Sequence, residues 1–389
     1  MDILIVSHFG SSYSEDDNDR FLYMAKELSK EHEVEIVTSS FCHEKKLHRR
    51  KTEANWPFKV VFIDEPGYSK NVCIKRFYSH FVWGVRIKNY IKTRRKPDAV
   101  YCAIPSLTGP YLIAKYCEKN GVRFVVDVQD LWPEAFQMVF NVPVLSNIAF
   151  APFKVLANGA YKRADAICAV SDTYCERAEQ VNKKVKNTTT VFLGTELASF
   201  DRYASEKTIL EKKENEIWLG YAGTLGTSYD IPLVFKALKK VNNPNLRFIV
   251  MGDGPMAETF KKQAEGLNVI FTGRLDYSQM CGVLVACDMV VNPINGKSVA
   301  SIINKHADYA ACGKPVLNTQ KSAEYRKLVN EYQMGFNCDN AEEMAEKIKI
   351  LIEDESLRLE MGRNARQCAE EKFDRATTYK ELRTKLQEK

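Results

Sequence analysis

The chain has 389 residues, 45% of them hydrophobic and 27% charged, with a net charge of +6. That is the balance of a soluble globular protein long enough for two or three domains, each able to bury a core without staples. Eleven cysteines without a C-x-x-C pair, and six scattered histidines, exclude a metal cluster and point to reduced, buried thiols such as Cys102, Cys168 and Cys287.

The charge is uneven. Residues 43–96 hold fifteen Lys or Arg against four Asp or Glu, a local +11, which leaves −5 for the rest of the chain. The surplus implies an anionic partner there, or solvated helix faces.

The opening MDILIV reads as a first strand, too short and too acidic for a signal peptide. Further strands are predicted at 34–38, 60–63, 99–103, 124–128 and 166–170. Amphipathic helices lie between them. At 21–28, Phe21, Leu22, Met24, Ala25 and Leu28 share one face. The stretch 194–215 has much charge and little apolar periodicity, and is the predicted linker. Strands at 218–222, 248–251, 269–272, 289–292 and 315–317 then restart the alternation. Charged helices at 356–371 and 373–389 close the chain, the last crossing back to the first domain. Alternating strands and helices mean an α/β class with parallel sheets covered on both faces. The expected domains are 1–200 with 373–389, and 201–372. Ligands of such sheets bind beyond the carboxyl ends of the strands, so the cleft between two facing domains is the expected active site.

Five segments carry candidate chemistry. The first loop, SHFGSSYSEDDND, has Gly10 at the strand end but no Gly-x-Gly-x-x-Gly, which excludes dinucleotide binding. Its acidic run at 15–19 caps the next helix or is solvated. Residues 75–96 interleave cations with aromatics. No nucleic-acid module accompanies them, so the choices are an anionic membrane surface or a helix with one buried and one solvated face. In DVQDLWPEAF, residues 127–136, Asp127 or Asp130 is placed to orient a hydroxyl or act as a base. Asp130 is equally suited to cap a helix. Residues 135–157 carry only the charge of Lys154, but their prolines and amides argue against a membrane span and for buried helices or an interfacial patch.

The fifth segment is INKHADYAACGKPVLN, residues 303–318. A helix start near Ser301 offers free N–H groups to an anion. Ser298, Ala300 and Ser301 let a ligand approach the backbone. Lys305 supplies a point charge for a diphosphate, and Asp308 can accept from two ribose hydroxyls. The plain alternative is a surface i,i+3 ion pair.

NKHADYAACGKPVLN resembles the signature helix of retaining, nucleotide-sugar-dependent glycosyltransferases of family four, which have the GT-B fold. DVQDLWPEAF, ADAICAVSD, GYAGTLG, VMGDGP and FTGRLDYSQM extend the resemblance in order along nearly the whole chain. It is closest to members that build bacterial capsule, O-antigen and exopolysaccharide on a lipid carrier. The resemblance implies that Asp308 stands for the second glutamate of a Glu-x7-Glu pair that holds the ribose. The first would fall at Ala300, which leaves Lys297 or Asn304 to orient the donor sugar. The diphosphate strand end appears as Gly223-Thr224-Leu225 without the usual arginine, a charge that Lys305 can replace. Arg274-Leu275 sits where the family meets the base, or is a surface loop. Gln129 replaces the His or Arg common before Asp130. Gly10 and Ser11 of the first loop, with Trp132 and Glu134, fall on the acceptor side.

The implied reaction moves a sugar from a nucleotide diphosphate sugar, UDP- rather than GDP-linked, to a hydroxyl of a polyprenyl-diphosphate-linked saccharide. Lys305, Ser301 at the helix start and Lys297 would stabilise the leaving diphosphate without a metal or other cofactor. The expected setting is cytoplasmic and peripheral on the inner membrane face, with no nucleic-acid partner. Two rivals stand beside this reading. One is a nucleotide-sugar 2-epimerase on the same fold. The other is a non-catalytic glycosyltransferase-like subunit, which the missing glutamate and arginine motivate.

Overall fold

The computed structural model describes residues 1–11, 13–14, 17–49, 54–71, 73–135, 143–185, 188–205, 209–296 and 301–388, with backbone alone at 143–148. The chain forms two compact units, Met1–Phe192 with Tyr379–Lys389, and Leu193–Thr378.

Unit 1 is built on β1 (Asp2–Ser7), β2 (Glu33–Ser39), β5 (Lys59–Ile63), β6 (Ala99–Ile104), β7 (Arg123–Val128), β8 (Ala166–Ala169) and β9 (Thr189–Thr190). They form one parallel sheet in the order β5-β2-β1-β6-β7-β8-β9. A small antiparallel hairpin, β3 (Phe41–Cys42) and β4 (Leu47–His48), stands apart from it. Strands buried on both faces read as continuous apolar runs, and for that reason the main strands were legible. Asp19 caps the helix Arg20–Leu28 by accepting from the amides of Phe21 and Leu22. That helix packs Phe21, Leu22, Met24 and Leu28 against Ile3, Ile5 and Tyr101. The last helix, Lys380–Gln387, buries Leu382 and Leu386 in the same core.

Unit 2 repeats the scheme with β10 (Ile217–Ala222), β11 (Leu246–Met251), β12 (Val269–Gly273), β13 (Met289–Asn292), β14 (Val316–Asn318) and β15 (Gly335–Asn337). Their order is β12-β11-β10-β13-β14-β15, all parallel. In both units the order reverses beside the first strand, at β1/β6 and at β10/β13. These are the switch points where doubly wound sheets take ligands.

Two expectations change. The boundary falls at 192/193, ahead of the expected 200/201, and the chain returns to unit 1 at Tyr379, after the expected 373. The predicted linker holds the helix Leu197–Ala204, which belongs to unit 2. It buries Leu197, Phe200 and Tyr203, while its outward Asp201 binds both amino groups of Arg366 at 2.6 and 2.7 Å. All eleven cysteines are free thiols, and all except Cys42 and Cys73 are buried.

Candidate functional site

In unit 2 the candidate residues gather at the carboxyl ends of β10, β11 and β13. Gly223 and Gly252 follow β10 and β11 with φ of +147° and +152°. A Cβ on Gly252 would stand 1.9 Å from the Gly223 carbonyl oxygen, so only glycine fits there. A Cβ on Gly223 would stand 2.6 Å from Lys305 Nζ, which places that ammonium at the β10 strand end. Lys305 is 9% exposed. Its Nζ lies 4.2 Å from the centre of the Tyr221 ring and 3.9 Å from that of Tyr229. It has no hydrogen-bond partner among the described residues. Burial drives its pKa well below the usual lysine range. Two ring faces offset only part of the cost of desolvating an ammonium, so the site favours an anion beside it.

The approach to this lysine is held by a buried polar network. The helix Asn304–Ala311 starts after extended Ile303, whose amide donates to His306 Nδ1 at 3.3 Å. His306 stacks on Tyr325 and lies 3.1 Å from Asn292 Nδ2. Asn292 also donates to Asn318 and Gln320 at 2.9 and 3.1 Å. Gln320 Nε2 donates to the Ser301 carbonyl at 2.6 Å, and the Ser301 hydroxyl donates to Glu324. Asn292, Asn318 and Asn337 end three neighbouring strands in register. Sequence reading passed over them and over His306, although the repeated strand-final asparagine of MVVN, PVLN and GFN was a usable signal.

Asp308 does not pair with Lys305. Its Oδ1 accepts from the Tyr277 hydroxyl at 2.8 Å, and that hydroxyl lies 2.8 Å from Thr195 Oγ1. Burial pushes the Asp308 carboxyl up to about 6, against the Tyr277 hydrogen bond and the Arg375 charge. Ser301 is buried and Asn304 exposed. The Tyr221 hydroxyl donates to the Thr224 carbonyl at 2.8 Å. Arg274 is exposed at the end of β12, with Leu275 half-buried beside it. Lys297, Ser298 and Ala300 lie outside the described residues.

Unit 1 places a second set of groups at its own switch point. His8, just past β1, puts Nε2 2.6 Å from Glu65 Oε1 and Nδ1 2.7 Å from Ser106 Oγ. Ser39 and Ser79 donate to the same carboxylate. Burial would raise the Glu65 pKa, but His8 and the two hydroxyls outweigh it and hold the group below the usual range. This trio was not legible in the sequence, because 98 residues separate His8 from Ser106.

Asp130 is half-buried and accepts from Trp132 Nε1 at 3.0 Å. Burial raises its pKa, as suits a base. Among the neighbouring candidates Asp127 is corrected, and the others are engaged within unit 1. Asp127 is fully buried, paired with Arg20 NH2 at 2.9 Å and bonded by the Gln129 amide at 2.8 Å, so it cannot meet a substrate. Glu134 is taken by Arg177 Nε at 2.6 Å. Gly10 is held close to Tyr13, and the Ser11 amide donates to Asp19; both shape the first loop. Trp132 lies under the Arg76 guanidinium, 4.7 Å from its ring centre.

The basic region forms a helix with one buried face. The helix Ile74–Thr93 turns Arg76, His80 and Trp83 inward. Arg94 binds Asp2 and Glu35, and Arg95 binds Glu33. Ile74, Tyr78 and Phe81 point outward at helical spacing. No described helix is long and apolar enough to cross a membrane. Among the described residues no group of His, Cys, Asp or Glu could hold a metal ion.

Residues 203–368 match the family model "Glycosyl transferases group 1", so unit 2 carries a group 1 glycosyltransferase domain. An uncharacterised glycosyltransferase of Methanocaldococcus jannaschii is 26% identical over 238 residues, 59% of this chain and 60% of that protein. The "probable glycosyltransferase WbjE" of Pseudomonas aeruginosa is 24% identical over 236 residues, 56% of each chain. The chain thus spans little more than half the length of these curated relatives. The crystal structure of Anabaena HepE in complex with UDP has 18% sequence identity and a TM-score of 0.72 over 99% of both chains. That likeness shows the fold, which is GT-B.

Proposed function

We propose that this chain, a GT-B protein with a group 1 glycosyltransferase domain, transfers a sugar from a nucleotide diphosphate sugar to a hydroxyl of a lipid-linked saccharide. The carrying observation is Lys305, a buried ammonium that lies beside two tyrosine rings and has no hydrogen-bond partner among the described residues, at the switch point of unit 2. A diphosphate is the anion that offsets its desolvation. The first amides of the helix Asn304–Ala311 add positive potential. Asp308 keeps acceptor capacity beyond Tyr277 for the ribose hydroxyls. The family resemblance favours UDP over GDP and retention at the anomeric carbon.

In the reaction the bond from the anomeric carbon to the diphosphate oxygen breaks, a bond to the acceptor oxygen forms, and the acceptor's hydroxyl proton passes to the departing diphosphate. Charge grows on the leaving diphosphate, where Lys305 stabilises it. Asp130 orients the acceptor hydroxyl. No residue or step in this scheme calls for a metal.

Unit 1 supports a membrane-side acceptor. Ile74, Tyr78 and Phe81 on one helix and Val155 on another are exposed, and Phe77 and Phe153 join the two helices at 5.1 Å. Lys75 and Lys154 flank these apolar groups, the pattern of an anionic lipid surface.

The test is nucleoside diphosphate release from a panel of nucleotide sugars with lipid-linked saccharide acceptors, and the anomeric configuration of the product by NMR. Lys305→Met should lower turnover roughly 100-fold or more, as expected when a charge on the leaving group is removed. Donor cleavage that ignores Lys305 would sink the proposal.

A further inference from the structure

Unit 2 has an open cavity of about 310 Å³ that the donor reading does not use. Asp288 and Lys314 line it from the amino ends of β13 and β14. The strands of this sheet are all parallel, so the cavity lies at the edge opposite to the carboxyl ends that meet Lys305. One face of the helix Glu355–Cys368 forms the other wall. Glu355, Leu359 and Arg363 follow one another there at intervals of four, with Arg358, Gly362 and Arg366 in the row beside them. The floor is bare backbone. A Cβ on Gly362 would stand 2.3 Å from the Gly313 carbonyl oxygen, and Gly313 has a φ of +63°. Glycine at both positions lets the helix approach the chain ahead of β14 and leaves the space above them unfilled.

The charges around this space do not cancel. Asp288 is neutralised by Lys212 at 2.6 Å and also accepts from the Trp218 amide. Arg366 is taken by Asp201 and Glu370. Arg358 donates to the Leu351 and Ile352 carbonyls, which fix its guanidinium but leave the charge unpaired. The side chains of Lys314 and Arg363 have no hydrogen bond or ion pair among the described residues, and neither has that of Glu355. Three uncommitted cations thus face the cavity against one carboxylate. Lys314 and Arg358 are half-buried, where like charges repel more than they do in water. An anion with several oxygens relieves that repulsion and matches the fork of an arginine. The volume is at the low end for small-molecule sites and exceeds what a bare phosphate ion fills. Leu359, 57% exposed, adds an apolar wall.

We infer that Lys314, Arg358 and Arg363 hold the phosphate group of a small phosphorylated metabolite in this cavity, at a site separate from the one that Lys305 and Asp308 define.

The test titrates glucose 6-phosphate and inorganic phosphate into the full chain by calorimetry. The same titrations are run on Arg363→Gln, Lys314→Gln, Lys305→Met and Lys327→Gln. Saturable binding of glucose 6-phosphate is expected, weakened at least fivefold by Arg363→Gln and by Lys314→Gln. Arg363 is exposed, so Arg363→Gln carries the test if Lys314→Gln fails to fold. Lys327 is an exposed cation elsewhere on unit 2, and its loss should leave the affinity unchanged. Unchanged affinity in Lys305→Met places the probe away from the donor side, as the inference requires. Tighter binding of the sugar ester than of inorganic phosphate supports the cavity as a metabolite site. Equal binding of the two, sensitive to Arg363, supports the phosphate contacts and assigns them to the free ion. No binding of either probe overturns the inference. So does a loss in Lys327→Gln equal to that in Arg363→Gln, or binding that depends on Lys305 and ignores Arg363.

Discussion

Asp308→Asn separates the cost of the proposed ribose carboxylate from its use. The folded carboxyl titrates at about 6 where the ordinary value is 3.8. A raised acid pKa means that folding favours the protonated form. Stability is therefore greatest below the unfolded pKa and is lost as pH rises through about 6. At about 1.4 kcal/mol per pKa unit, the ionised carboxylate costs about 3 kcal/mol at pH 8. Asparagine has nearly the same shape, keeps an oxygen for the Tyr277 hydroxyl and carries no charge. Unit 2 should then melt higher in the variant at pH 8, by roughly 2–4 °C for each kcal/mol recovered. The gap should shrink toward pH 4. Calorimetric melting of both chains at pH 4.5 and 8 reads this directly. A variant that melts lower at pH 8, or a gap that ignores pH, would refute the reasoning. The same substitution should weaken nucleotide binding, because ribose hydroxyls prefer the ionised acceptor.

Glu65 predicts the opposite slope. Its folded pKa is depressed, so its stabilisation is present above about 4.5 and is lost as pH falls through the folded value; Glu65→Gln should flatten the acid limb of a denaturation profile. Arg20→Leu leaves Asp127 charged and buried, which should cost about 3–5 kcal/mol in urea denaturation. Adding Asp127→Leu should return much of that loss, and a double variant as unstable as the single one would contradict the pairing. Gly252→Ala drives a methyl into the Gly223 carbonyl at a positive φ, and should cost at least about 1–3 kcal/mol and weaken nucleotide binding. Wild-type melting of that variant would show the two turns to be looser than the structure has them.

The main sheets were legible because buried parallel strands are continuous apolar runs. β3, β4, β9 and β15 span two or three residues each, too few for a pattern to emerge. The helix Leu197–Ala204 was hidden because it is short and its three buried positions stand inside a charged stretch. In the candidate site, Lys-x-x-Asp before a Gly-Lys-Pro strand drew attention to Lys305 and Asp308. Spacing could not say which way each side chain turns. That is decided by Tyr221 and Tyr229 on one side and Tyr277 on the other, from distant elements. Asp127 misled for the same reason. Its partner Arg20 is 107 residues away, and only the fold brings them together.

The central claim is that the buried ammonium of Lys305 receives a nucleoside diphosphate. Calorimetric titration of UDP, GDP, CMP and TDP into the native chain and into Lys305→Met tests it most directly. The account predicts saturable binding of a diphosphate nucleotide, UDP foremost, weakened at least tenfold in the variant, or about 1.4 kcal/mol. A folded native chain that binds none of them, or a Lys305→Met chain that binds as the native one does, would contradict it.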